Sequence, residues 1–392
     1  MDCIFNLFNF CAIVCVIGLC FNFLFDLSST LHPRLDHVAI FLIHSTMCHT
    51  TTIKELARLC SVSISTVSRA LNDHPSIGIQ TKERIKKLAR ELDYEPNVAA
   101  IQFKKGRKMT VGVIVPELSE TFFSTAVSGI EDVAMSNGYN VIIGQSHNDV
   151  EKERKIVDSF KKNRIDGLLA SLSKSTRNIN HFKELDRYNI PVIYFDRVPS
   201  SKEVHSVGCD LYKASMDIVD FLWTEGHRDI ALLKGPNCMT ATTERMRGFM
   251  DGLIKRKVKT DASLFGITDL SKESTYDAMK DILSQKNRPT AVIAFNDYVA
   301  LDAMEYVHSY SSLKINKDII FVSYANNPLL SYLRNFSPAA SVEQFPYRQG
   351  QLAMEMFLEL KEENIESPAA KQVVVDAELI FSDKGKNVAV AV

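Results

Sequence analysis

Thr52-Ile-Lys-Glu-Leu-Ala-Arg-Leu-Cys-Ser-Val-Ser-Ile-Ser-Thr-Val-Ser-Arg-Ala-Leu-Asn72 reads as two short helices about a tight turn. Ile53, Leu56, Ala57, Val62, Val67, Ala70 and Leu71 are spaced to bury one common face. Ser63 is placed to cap the second helix, and Ile64, Ser65, Thr66, Ser68, Arg69 and Asn72 are left to face outward. A helix entering a major groove needs such a surface: slim residues for close approach, hydroxyls for phosphates, a long cation for a guanine edge. The segment is expected to be a helix-turn-helix with double-stranded DNA as its partner. The competing reading is an ordinary helical hairpin of a globular domain.

Charge favours DNA. Residues 47–110 hold twelve Lys/Arg against six Asp/Glu, a local +6 in a chain of net −1, which leaves −7 for the remainder. A basic module beside a neutral-to-acidic body suits phosphate contact. With 392 residues, 46% hydrophobic and 24% charged, the chain has the composition of a soluble globular protein with more than one core. Its eight cysteines make no Cys-x-x-Cys pair, and its ten histidines lack ligand spacing, so neither a disulfide framework nor a metal is expected. No cofactor is expected either.

Residues 1–46 form an apolar extension. Residues 3–25 carry no charge and are long enough to cross a bilayer, which would tether the protein to a membrane. The alternative is that translation begins at Met47, which would make the protein cytoplasmic. Three asparagines within the run and the lack of a flanking Lys/Arg cluster weaken the membrane reading.

Beyond Thr110, short apolar runs alternate with helix-length amphipathic segments. Strands are expected at 111–115, 140–144, 167–171, 191–195, 229–233, 291–295 and 319–323, and helices at 121–137, 150–162, 211–224, 243–256, 273–285, 298–309 and 347–361. Such alternation implies an α/β fold with parallel sheets covered on both faces, and the length implies two subdomains. Ligands of open α/β sheets bind beyond the carboxyl ends of the strands. Those ends carry Ser119–Phe123, Ser146-His147-Asn148, Ser171, Asp196, Thr243–Phe249 and Asn296-Asp297.

The run from Thr52 to Pro75, then T-K-E-R-I-K-K-L-A-R-E-L-D-Y-E-P-N, resembles the headpiece of lac-repressor-type (LacI/GalR) transcription regulators. The likeness continues through G-V-I-V-P-E-L-S, I-D-G-L-L, I-P-V-I-Y-F-D-R, E-G-H-R-D-I-A-L-L-K-G-P, P-T-A-V-I-A-F-N-D and S-V-E-Q, from about residue 50 to the C-terminus. It implies a helix-turn-helix domain at 47–95, a hinge helix or linker at 96–109, and a two-lobed body at 110–392 similar to periplasmic binding proteins. Lobe 1 would take about 110–209 and 341–370, and lobe 2 about 210–340 and 371–392.

The same likeness implies a homodimer on a pseudo-palindromic operator. Ile64, Ser65 and Arg69 would read bases, and Thr52, Thr66, Ser68, Asn72 and Asn97 would hold phosphates. Hinge helices carrying Ala100 and Phe103 would open the minor groove, with Phe103 where the family usually has leucine. A small effector, a sugar or sugar derivative, would sit between the lobes with Asp196, Arg245 and Asn296 as polar clamps, Ser171 nearby, and Phe122 and Phe123 as apolar walls. Each has a plainer alternative: Arg245 pairing with Glu244 or Asp251, Asn296 capping a helix, the phenylalanines as core. Two departures bear on the ligand. Tyr324-Ala325-Asn326 stands where relatives often carry an aspartate, and Leu270 where several place a stacking aromatic.

No G-x-G-x-x-G, P-loop, H-E-x-x-H or G-x-S-x-G occurs, so an enzyme is not expected. An envelope binding protein would explain the apolar N-terminus and the cleft but not the basic headpiece. The reading adopted is a DNA-binding transcriptional regulator, expected to be a repressor, under small-molecule control.

Overall fold

A computed structural model describes residues 51–96, 108–258, 261–333, 336–363 and 369–382. The chain divides into two units at residues 101 and 102. Among the described residues no helix is long and apolar enough to cross a membrane. The 1–46 extension and the hinge residues Asn97, Ala100 and Phe103 lie outside the described residues.

The first unit holds three helices: α1 (Ile53–Leu59), α2 (Ile64–Leu71) and α3 (Ile79–Glu91). Leu56, Val67, Ala70 and Ile85 are fully buried where the three meet. Thr52 caps α1 by accepting from Glu55 N, and Ser63 caps α2 by accepting from Thr66 N. All three helices end alike: a left-handed residue (Ser61, Asp73, Asp93) follows the C-cap. The two amides beyond each cap turn back to the last helical carbonyls, as in Val62 N to Ala57 O and Tyr94 N to Ala89 O. Asp tolerates that backbone better than most residues, whereas Ser61 holds it at φ 52°. Ser61→Gly is therefore expected to stabilise this unit by about 0.5–1 kcal/mol, seen as a higher melting point of its helical signal. No gain, or a loss, would show the turn to be unstrained.

The second unit begins with β1 (Thr110–Val115), α4 (Thr121–Ser136), β2 (Asn140–Gln145), α5 (Val150–Lys162), β3 (Gly167–Ala170), β4 (Val192–Phe195) and β5 (His205–Cys209). It continues through α6 (Leu211–Thr224), β6 (Ile230–Lys234), α7 (Thr240–Lys255), β7 (Phe265–Ile267), α8 (Lys272–Leu283), β8 (Ala291–Ala294), α9 (Asp297–Tyr310) and β9 (Ile320–Tyr324). β10 (Ala340–Glu343), α10 (Pro346–Glu363), β11 (Gln372–Val375) and β12 (Glu378–Phe381) close it. Two six-stranded sheets result, ordered β11-β5-β4-β3-β1-β2 and β12-β10-β9-β8-β6-β7. Pairings are parallel except β10 with β12. Helices cover both faces of each sheet, giving four apolar clusters. α4 and α10 approach closely because Gly129 and Gly350 sit in the contact: a Cβ on Gly350 would lie 2.0 Å from Ala126 O.

Lobe membership differs from expectation at the C-terminal end. Residues 340–343 belong to the second sheet, paired in register Ala340↔Val322, and residues 372–375 belong to the first, paired Val373↔Val207. The chain thus crosses between lobes three times: after Cys209, after Glu343 and after Val375. The strands β5, β7, β10, β11 and β12 were not anticipated. They are three to five residues long, too short to mark a period.

Candidate nucleic-acid interface and ligand cleft

On α2, Val67 and Ala70 point into the headpiece core, which turns the opposite side to solvent. Ile64 is 45% exposed. Ser65, Arg69 and Asn72 are exposed, and Thr66 and Ser68 are half-buried. Ser63 Oγ lies 2.8 Å from both Ser65 Oγ and Thr66 Oγ1, forming a hydroxyl cluster at the amino end of α2. That end carries unpaired amides and positive dipole, which suits a phosphate. Asn72 donates its amide to Ser68 O at 2.8 Å, and Thr52 spends its hydroxyl on the α1 cap.

Not every basic residue is available. Arg84 donates to Cys60 O at 2.7 Å, Lys82 to Asp73 O at 2.9 Å, and Lys86 bonds the Asp73 carboxylate at 2.6 Å. The Lys86 hydrogen bond holds the Asp73 carboxyl below its usual range. Arg69 has no ion pair among the described residues, so its guanidinium is left for an outside partner.

Within the second unit, a cavity of about 300 Å³ opens where the strand ends meet the crossing segments. Glu120 and Phe122 from the start of α4 line it, with Asn296 and Tyr298 at α9, Asn326 and Asn327 after β9, and Glu343, Phe345 and Arg348 at a crossing. Of the six residues expected at the ligand, Phe122 and Asn296 face this space. Asn296 also caps α9, accepting from Val299 N at 2.9 Å, a bond that leaves its amide nitrogen unused.

Phe123 is a correction. It is 1% exposed, packs edge-on to Phe122 and supports the Arg197 guanidinium 5.1 Å above its ring, so it is core and not wall. Ser171 is fully buried, accepting from Arg197 N at 3.4 Å. Asp196 follows β4 with φ 56°. Burial pushes its carboxyl up to about 6, against the pull of Arg197 and Arg245.

Arg245 on α7 is 7% exposed. Its guanidinium lies between the rings of Phe295 and Tyr324, at 4.4 and 4.1 Å, and donates to Phe295 O and Gln344 Oε1. The surface pairings considered for it are taken up otherwise: Glu244 binds Arg247, and Asp251 accepts from Tyr212. Its Nε is buried without a hydrogen-bond partner. An unpaired buried N–H is costly, so the site favours an acceptor arriving there.

Asn327 and Glu343 were not anticipated, whereas Glu120 lies within the Ser119–Phe123 stretch and Asn326 within the Tyr324-Ala325-Asn326 segment already placed near the ligand. Tyr324 turns inward to Ser215 at 2.6 Å, and Asn326 donates to Glu343 Oε2 at 2.8 Å. A carboxylate thus returns to this wall from the neighbouring strand. Asp297, beside it, is saturated by Ser323, Ser341 and Asn327 N, and burial raises its carboxyl. Among the described residues, no group of three His, Cys, Asp or Glu side chains is arranged to hold a metal ion.

Among the described residues, hydrogen bonds through Lys174, Cys238 and Thr240 join the lobes away from the cavity lining. Lys174 donates to Asp269 O at 2.8 Å, Cys238 to Lys174 O at 2.9 Å, and Thr240 to Val198 O at 2.8 Å. The loop bearing Lys174 is fixed from below. Fully buried Glu153 accepts from Ser173 N at 2.7 Å, Thr176 Oγ1 at 2.8 Å and His181 Nε2 at 2.9 Å.

A capped helix-turn-helix followed by two hinged α/β lobes around a cleft is the architecture of a ligand-responsive DNA-binding regulator. Residues 52–97 match the family described as bacterial regulatory proteins, lacI family, and residues 111–364 match the periplasmic binding protein domain. The chain is 30% identical over 309 residues to the HTH-type transcriptional repressor PurR of Vibrio atlanticus (strain LGP32), covering 79% of this chain and 91% of that one. Against the repressor CytR of Escherichia coli (strain K12) it is 29% identical, covering 79% and 89%. The lac repressor dimer bound to operator and the anti-inducer ONPF superposes with a TM-score of 0.74 at 22% identity, over 86% of this chain and 99% of that one. Transcription regulator CcpA of Lactococcus lactis gives 0.63 at 28% identity, over 70% and 97%. The chain belongs to the LacI family of bacterial transcription regulators.

Proposed function

We propose that this chain is a dimeric repressor that grips a pseudo-palindromic operator through α2 and adjusts that grip to an uncharged, hydroxyl-rich small molecule, a sugar or sugar derivative, held between its lobes. The observation that carries the DNA half is Arg69, without an ion-pair partner among the described residues, on the outward side of a capped, otherwise slim helix. Ile64, Ser65 and Arg69 read bases, while Thr66, Ser68 and the hydroxyl-capped amino end of α2 meet phosphate. The ligand half is supported by Glu120 and Glu343 as acceptors and the Asn296 amide nitrogen as a donor on the cavity wall, with Asp196 and the Arg245 Nε proposed to complete the set from outside that lining. Family members solved with cellobiose and with D-xylulofuranose support the ligand class. Effector binding changes lobe closure and so shifts the dimer between two operator affinities. The role is regulatory binding, without catalysis.

Arg69→Ala tests the first half. Discrimination between a selected operator and random duplex should shrink by about 1–3 kcal/mol, measured by titration at fixed salt. Unchanged discrimination sinks the assignment. The second half predicts a pH dependence. In this reading a ligand hydroxyl donates to ionised Asp196, whose carboxyl burial pushes up to about 6. Apparent affinity for a sugar that shifts the melting point should therefore rise as pH climbs through about 6. Asp196→Asn should flatten the curve. A flat curve in the unaltered chain removes Asp196 from the site.

A further inference from the structure

We infer that α2 recognises a thymine by its 5-methyl group through Ile64, beside a guanine held by Arg69; this rests on the DNA-regulator reading above. Ile64 is the first residue of α2 and is 45% exposed, while Val67 and Ala70 on the inward side are fully buried. An isoleucine left in water at the leading end of a DNA-facing helix has apolar surface with nothing to cover it. It neither donates nor accepts a hydrogen bond, so among the four base edges of the major groove it can favour only the one that presents a methyl group. Its β-branch restricts χ1 within a helix, so little freedom is lost on contact.

The neighbouring side chains sharpen this assignment. At 3.6 residues per turn, Ile64, Ser68, Asn72, Ser65 and Arg69 share one outward arc of about 140°. Within that arc Ser65 is bonded to Ser63, and Asn72 to Ser68 O, each at 2.8 Å. Ser65 and Asn72 thus each hold a bond within their own helix, and Ile64 and Arg69 are the arc's apolar and cationic side chains. The basic character of α1–α3 supplies the sequence-independent attraction that brings both to the duplex.

Duplexes retained by the full chain from a randomised pool can be remade with single thymines replaced by uracil, which lacks only the methyl group. One thymine in each half-site should then weaken binding about fourfold, the worth of one buried methyl. Ile64→Ala should erase the thymine–uracil difference at that position while keeping the response to replacement of the guanine. Ile64→Val should keep most of the difference. If thymine and uracil bind equally at every position, or Ile64→Ala leaves the difference intact, the inference is overturned and the regulator reading stands. Failure of the unaltered chain to hold any duplex in a salt-dependent way would overturn both.

Discussion

Glu153→Ala is expected to remove about 3–5 kcal/mol of stability from the two-lobed body. Glu153 is fully buried and accepts hydrogen bonds from the Ser173 amide, the Thr176 hydroxyl and the His181 ring. Alanine would strand all three donors and leave a cavity, and each loss is costly in a dry interior. Burial by itself would raise the carboxyl of Glu153, but the bonds from His181, Ser173 and Thr176 outweigh it and hold the group below its ordinary value of 4.5. The sign of the pH effect follows. The contribution of Glu153 is fully present above the unfolded value and is lost as pH falls through the lower folded value. Thermal melting of the unaltered chain should fall more steeply with acid below about pH 4.3 than that of Glu153→Gln. If Glu153→Ala melts within a degree of the unaltered chain, the network is not holding the loop.

Arg245→Met is the second large effect. Methionine fills the space between the Phe295 and Tyr324 rings, so the lobe should remain folded. What disappears is the guanidinium, with its donors to Phe295 O and Gln344 and its unpartnered Nε. Losing a buried charged donor to a bound ligand costs about 3 kcal/mol or somewhat less. Effector potency should therefore drop about a hundredfold, while operator binding without effector stays unchanged. Operator and effector responses falling together would mean that Arg245 braces the lobe and is not a ligand contact.

The headpiece was legible because its signals are local. Ser63 as a cap and the inward spacing of Val67 and Ala70 need no distant partner to be read. The seven strands anticipated are continuous apolar runs, and each was found within a residue or so of its expected place. His205–Cys209 carries no such run: it lies between β11 and β4 and ends where the chain leaves the lobe, and polar residues are tolerated at such a crossing. Within the cleft the difficulty was direction. Phe122 and Phe123 are adjacent on one helix, and nothing in the sequence tells which faces the cavity. Tyr324 sits at a strand end, where the choice between core and cleft depends on Ser215 and Arg245, which lie 109 and 79 positions away in the chain. Glu343 was hidden inside a motif read only for kinship, although its carboxylate offsets the missing aspartate.

The contacts through Lys174, Cys238 and Thr240 have a consequence for sensitivity. Exposed or neutral hydrogen bonds of this kind contribute only about 0.5–1.5 kcal/mol each. A clasp so light leaves shut and parted forms within a few kcal/mol of one another, which is the range a weakly held metabolite can tip. The threshold at which the switch trips is thus adjustable by surface substitutions that never touch the metabolite. Lys174→Met, by loosening the clasp, would demand more of it for the same response.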